Sequence, residues 1–153
     1  HFIIIDFIMK NYTMAEIRHL IDRFENQKLP KVEWTHEAHL VVAIWYCSKN
    51  NTQDALKQVR SYITAHNCSV GTPNTDTEGY HETITKFWLH MAQLFIQTNP
   101  SDSIEESTNN FINSSVGKSD YPLDFYSKSL LFSVHARHHW IEPDIKRLSA
   151  IHE

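Results

Sequence analysis

Leu40-Val41-Val42-Ala43-Ile44-Trp45-Tyr46-Cys47 carries no charged side chain anywhere in the run. Thr35 stands just before it as a helix N-cap, and the spacing predicts a helix from there to about Asn50. Such a helix is apolar on every face, so it belongs at the centre of a helical bundle. Working downstream, Asn51-Thr52 opens a third helix reaching Ala65, with Leu56, Val59, Tyr62 and Ile63 facing inward. Upstream, a helix over about Thr13 to Gln27 sets Ile17, Leu20, Ile21 and Phe24 on one stripe, and the turn Leu29-Pro30-Lys31 ends it.

Farther out, Asn67 to Gly79 is the one long irregular stretch, rich in Gly, Pro, Thr, Asn and Asp, and is the natural place for a binding loop or lid. A fourth helix follows from about Tyr80 to Thr98, with Ile84, Phe87, Trp88, Met91, Leu94 and Phe95 on a wide apolar face. Ser103 to Val116 reads as a weaker peripheral helix, capped through the Asp102 to Glu105 pattern and ended by Gly117. A helix from about Leu123 to His139 carries Leu130, Leu131 and Val134, and Pro143 opens a short terminal helix. Strand-like alternation and internal repeats are absent. The expectation is an all-α, single-domain helical bundle over residues 1–153, with four main helices and one or two short ones.

Composition agrees with one packed domain. The 153 residues are 41% hydrophobic and 12% aromatic with only three glycines, and a chain of this size buries roughly two-thirds of its unfolded surface. Fourteen basic residues against eighteen acidic ones leave a formal charge of -4. The Lys and Arg are scattered, which argues against a nucleic-acid partner. Cys47 and Cys68 form neither a disulfide framework nor a CxxC pair, so a reducing, cytoplasmic setting is expected. The opening His1 to Met9 is apolar but too short to span a bilayer, with Asp6 in its middle and no basic flank or cleavage site. Residues 1–8 read as a cloning remnant or an upstream extension, with an extra packed apolar segment as the alternative. No membrane partner is expected, and nothing in the pattern bears on oligomeric state.

Histidine is the unusual feature: eleven in all, six of them clustered in Trp34-Thr35-His36-Glu37-Ala38-His39-Leu40, in Gly79-Tyr80-His81-Glu82-Thr83, and in His135 to Trp140. Residues three or four apart share a helix face, so His36 with His39, and His135 with His138 or His139, offer imidazole pairs for one ion. His81 or Glu82 would supply a third ligand and leave an open, catalytic type of site. His36 and His81 also fall at helix starts, where the dipole favours neutral imidazole. The same helix starts suit a small anion, with Thr35, Thr75 and Thr77 as hydroxyl donors. Trp34 and Trp140 flank histidines and would wall a pocket, while His19, His66, His90 and His152 read as structural.

The segments WTHEAHL, GYHETITKFWL and ARHHWIEPDIKRL resemble a family of small helical bacterial proteins sharing WTHxxHL, GYHETxT and a C-terminal ARxxW-PD pattern. That resemblance spans most of residues 33–148, implies that His36, His39, His81, Glu82, Arg137 and Trp140 form one constellation, and brings no established activity. A more distant resemblance is to the DinB/YfiT-like metal-binding bundles, in which His39, and His135 with His139, would be the ligands. The GYHET segment has no counterpart there.

The leading expectation is therefore a divalent-metal site, for zinc, iron, manganese or nickel, in a hydrolase or transferase acting on a small molecule, with Glu82 as base. The alternative is a non-enzymatic module that holds a small anion or a protein partner through the loop, His36, His81 and Arg137. A third reading makes the polar cluster structural, tying helix starts together.

Overall fold

The computed structural model describes residues 10–152. The expected remnant at residues 1–8, and the packed segment that is its alternative, lie outside them. Among the described residues the chain is all-helical, with 62% helix and no strand. Seven α-helices follow one another: α1 (Met14–Glu25), α2 (His36–Lys49), α3 (Thr52–Ser69), α4 (Glu82–Thr98), α5 (Ile104–Ile112), α6 (Lys128–Leu131) and α7 (Val134–His138). Short 3-10 turns lie at Lys31–Glu33, Ser115–Gly117 and Tyr121–Asp124.

The apolar run organises the core. Leu40 to Ile44 are all buried, with Tyr46 and Cys47 beside them, and α2 packs against α1, α3, α4 and α5. Every face of this helix meets another element, which is why its sequence has no polar side. The Cys47 thiol donates to the Leu89 carbonyl oxygen at 3.3 Å. Burial pushes that thiol up to about 12, so it is an inert core residue rather than a nucleophile. One apolar cluster runs from Ile17 to Leu131.

Most helix starts obey local capping chemistry. Thr13 and Glu16 form a reciprocal capping box, the Thr35 hydroxyl accepts from the Ala38 amide at 3.2 Å, and Asn51 accepts from the Asp54 amide at 2.8 Å. The α5 cap is Ser103 rather than Asp102, because Ser103 has the extended backbone and aims its hydroxyl at the Glu106 amide, 3.1 Å away. Residue 112 ends α5, where Asn113 turns its amide back to Asn109. Helix α3 runs on to Ser69 instead of Ala65, since His66 and Asn67 are themselves buried.

The C-terminal quarter departs most from the periodicity. No continuous helix spans Leu123 to His139: Ser127 and Ser133 each interrupt it, and each hydroxyl caps a new short helix by accepting from Leu130 and Ala136 respectively. Serine offers the backbone an alternative partner, which cuts one expected helix into α6 and α7. Among the described residues no helix follows Pro143 either. Backbone amides there bond outward, with Ile145 N–H donating to the Phe125 oxygen at 2.9 Å. The Asp144 carboxylate accepts from the Ser127 amide at 2.8 Å. Among the described residues there are five helices of nine or more residues and two short ones, beside the expected four main helices with one or two short ones. No helix among the described residues is long and apolar enough to cross a membrane.

Candidate functional site

The conformation of Gly79 fixes the approach to α4. Its φ of +81° suits glycine, and a Cβ there would lie 2.3 Å from the Pro73 oxygen. The chain then enters α4 through His81, which is the N-cap itself rather than a first-turn residue. His81 Nδ1 accepts from the Ile84 amide at 3.1 Å, and Nε2–H donates to the Leu131 oxygen at 2.8 Å. Both ring nitrogens are consumed, and the tautomer follows from the partners. Burial, not the helix dipole, is the main cause that lowers the His81 pKa.

His36 and His39 share the first turn of α2 but serve different neighbours. His36 Nε2–H donates to the Gly117 oxygen at 2.7 Å, and its ring lies 5.1 Å from that of Trp88. His39 turns back, its Nδ1–H donating to the Thr35 oxygen at 2.6 Å. The His39 ring lies on Trp34 at 3.8 Å between centroids, and Trp34 stacks on Phe24 at 4.9 Å. Burial holds the His39 imidazole down to about 4, so it is neutral near pH 7. Thr35 spends its hydroxyl on the α2 cap.

Glu82 is gripped from two sides. Arg60 reaches both of its oxygens, at 3.1 and 2.7 Å, and the Tyr80 hydroxyl donates to it at 2.6 Å. Both carboxylate oxygens are thus engaged, and burial together with Glu82 pushes the Tyr80 phenol up from its ordinary value. Arg137 donates to the Gly79 oxygen at 2.9 Å, and His138 meets the Asp76 carboxylate at 2.7 Å. Helix α7 therefore ties down the irregular segment, residues 70–81. His135 and His139 are exposed, their rings 4.8 Å apart. Trp140 bonds Glu142 at 3.1 Å and lies under the Lys86 ammonium at 4.7 Å.

The sequence-predicted residues thus fall into separate places: His36 beside Gly117, His81 and Glu82 at the start of α4, His135 and His139 on the surface. Among the described residues no group of three or more His, Cys, Asp or Glu side chains is placed to hold a metal ion.

What the fold does bring together is Trp34, His39 and His66. They line a cavity of about 320 Å³ with Ile63, Tyr80, Ile84 and Thr85. Trp34, His39, Ile63, Ile84 and Thr85 also border a narrower slot of about 40 Å³, closed by Val42, Ala43, Val59, Trp88 and Leu89. His66 is fully buried, and its ring lies 5.3 Å from Trp34. Its Nε2–H donates to the Leu29 oxygen at 3.0 Å, while Nδ1 is buried without a hydrogen-bond partner. Sequence reasoning set His66 aside as structural. The available signal was its position on the inward stripe of α3 after Val59 and Ile63, where an imidazole replaces the next apolar residue.

A larger hollow of about 630 Å³ lies beside α1 and the start of α2. Its charges answer one another: Lys10 reaches Glu37 at 3.3 Å and Arg23 reaches Glu33 at 3.0 Å. It presents a solvated polar surface rather than a shaped recess. No family profile, curated protein or solved structure matches the chain.

Proposed function

We propose that this helical domain is a small-molecule-binding module, and that the ligand enters the cavity walled by Trp34, His39 and His66. The observation that carries this reading is the cavity itself, about 320 Å³, with the Trp34 and His39 rings 3.8 Å apart in its wall. The surroundings fit: an apolar recess with a few fixed polar groups is the usual form of a small-molecule site. The Thr- and Asn-rich segment at the mouth contributes Val70, Thr72 and Gly79, held in place by Arg137.

The metal-dependent enzyme reading has less support. It needs His36, His39 and His81 to converge, and both His81 ring nitrogens are already bonded, while His36 and His39 turn to Gly117 and Thr35 in different directions and no group of three or more such side chains is placed to hold a metal among the described residues.

A fragment screen by protein-observed NMR tests the proposal. Hits are expected to shift amides of residues 63–72 and 79–85, and Ile84→Trp, whose larger side chain fills the recess, should abolish those shifts. Hits that map elsewhere, or that survive unchanged in Ile84→Trp, overturn it.

A further inference from the structure

Resting on that reading of the cavity, we infer the chemical class of its ligand: a small anion with an apolar body, such as an aromatic carboxylate, seated with its charge at the mouth. The wall is mainly apolar, with Trp34, Ile63, Val70, Tyr80 and Ile84 in it. Among the described residues no Asp or Glu borders the cavity, and Lys31 is the one Lys or Arg that does. Lys31 opens the 3-10 turn Lys31–Glu33, and the Trp34 amide donates to its oxygen at 3.1 Å. That bond fixes the lysine backbone one turn before the indole of the wall, while its side chain is exposed and free to follow a ligand.

Arg137 adds a second positive charge beside the same opening. Its Nη1 donates to the Gly79 and Tyr80 oxygens, at 2.9 and 3.4 Å, and both residues border the cavity. A guanidinium has five N–H donors, so donors remain after these two bonds. Its charge reaches the wall, where, after burial as the larger cause, it helps to lower the His81 pKa. Among the described residues neither Lys31 nor Arg137 has an ion-pair partner. The neighbouring carboxylates are taken: Glu33 by Arg23, Glu82 by Arg60 and Asp76 by His138. Glu78, next to Gly79, is exposed to solvent. An ammonium ligand therefore meets two like charges and no carboxylate in the wall, and a neutral ligand gains little from either cation. An anion gains from both, and the apolar side chains accept its body.

Three probes of similar shape separate the possibilities: naphthoate, an anion; naphthamide, which is neutral; and naphthylmethylammonium, a cation. Each is titrated into the full chain at pH 7.5 and low salt, with binding followed at the amides of residues 63–72 and 79–85. Naphthoate is expected to bind about fivefold more tightly than naphthamide, the scale of an exposed ion pair, with the cation weakest. Added salt should shrink that advantage. Lys31→Glu, a change at an exposed side chain, should abolish it and leave naphthamide binding as it was. Naphthamide or the cation binding in this cavity as tightly as naphthoate would overturn the anionic class while leaving the cavity a binding site. A preference for naphthoate untouched by both salt and Lys31→Glu would do the same. Absence of all three from the cavity, with naphthamide at its solubility limit, would overturn both.

Discussion

His66 and His81 line one cavity, are both buried, and each donates Nε2–H to a backbone carbonyl from a distant segment. They differ in the second nitrogen. His81 gives it to the first turn of its own helix, whereas the His66 Nδ1 is buried without a partner. The first arrangement closes a hydrogen-bond account and holds α4 to α6. The second leaves one open, at a cost the fold tolerates. Residue type and burial are alike in the two, so the presence of a partner at one ring atom is what separates them.

The sharpest way to break that contrast is to remove His81. His81→Ala deletes the α4 cap, worth about 1 kcal/mol, and leaves the buried Leu131 oxygen without its donor, worth about 1–3 kcal/mol. Urea denaturation at pH 7.5 should register a loss of about 3 kcal/mol. His81→Asn restores a competent cap but not the reach to Leu131, and should recover about 1 kcal/mol of it. A loss below about 1 kcal/mol for His81→Ala would mean that its bonds are not structural.

Acid should act next, and its sign follows from the neutral state of the buried rings. The folded-state pKa of His81 is lowered, and that of His39 falls from 6.5 to about 4. The unfolded chain therefore binds more protons below about pH 6.5, so stability is complete above that value and falls as the pH drops toward about 4. The Asp144 carboxylate, held below its usual range by hydrogen bonds from Ser127, loses its share only at lower pH. Discounted for the solvent-facing edge of His39, the fall between pH 7 and 4.5 is about 2 kcal/mol. The urea midpoint should track it, and His39→Phe should flatten the profile. A flat wild-type profile would show that these rings are not held neutral.

How legible this was depended on how local the physics is. Leu40 to Cys47 declared a central helix because burial on all sides needs no partner to be specified, and Thr13, Thr35 and Asn51 declared their caps because the partner lies three residues on. Ser127 and Ser133 misled the reading of the last helix, since a serine reads as tolerable within a helix until its hydroxyl is seen to start another. The histidines were legible as a group but not as individuals. Leu29, Gly117 and Leu131, whose carbonyls decide which nitrogen is free, lie 37, 81 and 50 residues from their rings. No spacing rule reaches that far.

The smallest effect is expected at His66, and it carries the most information. His66→Leu gives up the bond to the Leu29 oxygen, which costs about 1 kcal/mol or more, and at the same time removes the unpartnered Nδ1 and adds apolar packing against Phe24 and Trp34. These terms oppose each other, so the net change in urea stability should be about 1 kcal/mol or less, well under that of His81→Ala. Were His66 a core histidine whose role is to brace the chain at Leu29, its replacement would cost as much as that of His81 and would leave fragment binding in the cavity intact. A nearly neutral substitution that also abolishes binding has a different meaning: the imidazole is kept at a position where an apolar residue would serve the fold almost as well, as expected of a residue retained for its ligand.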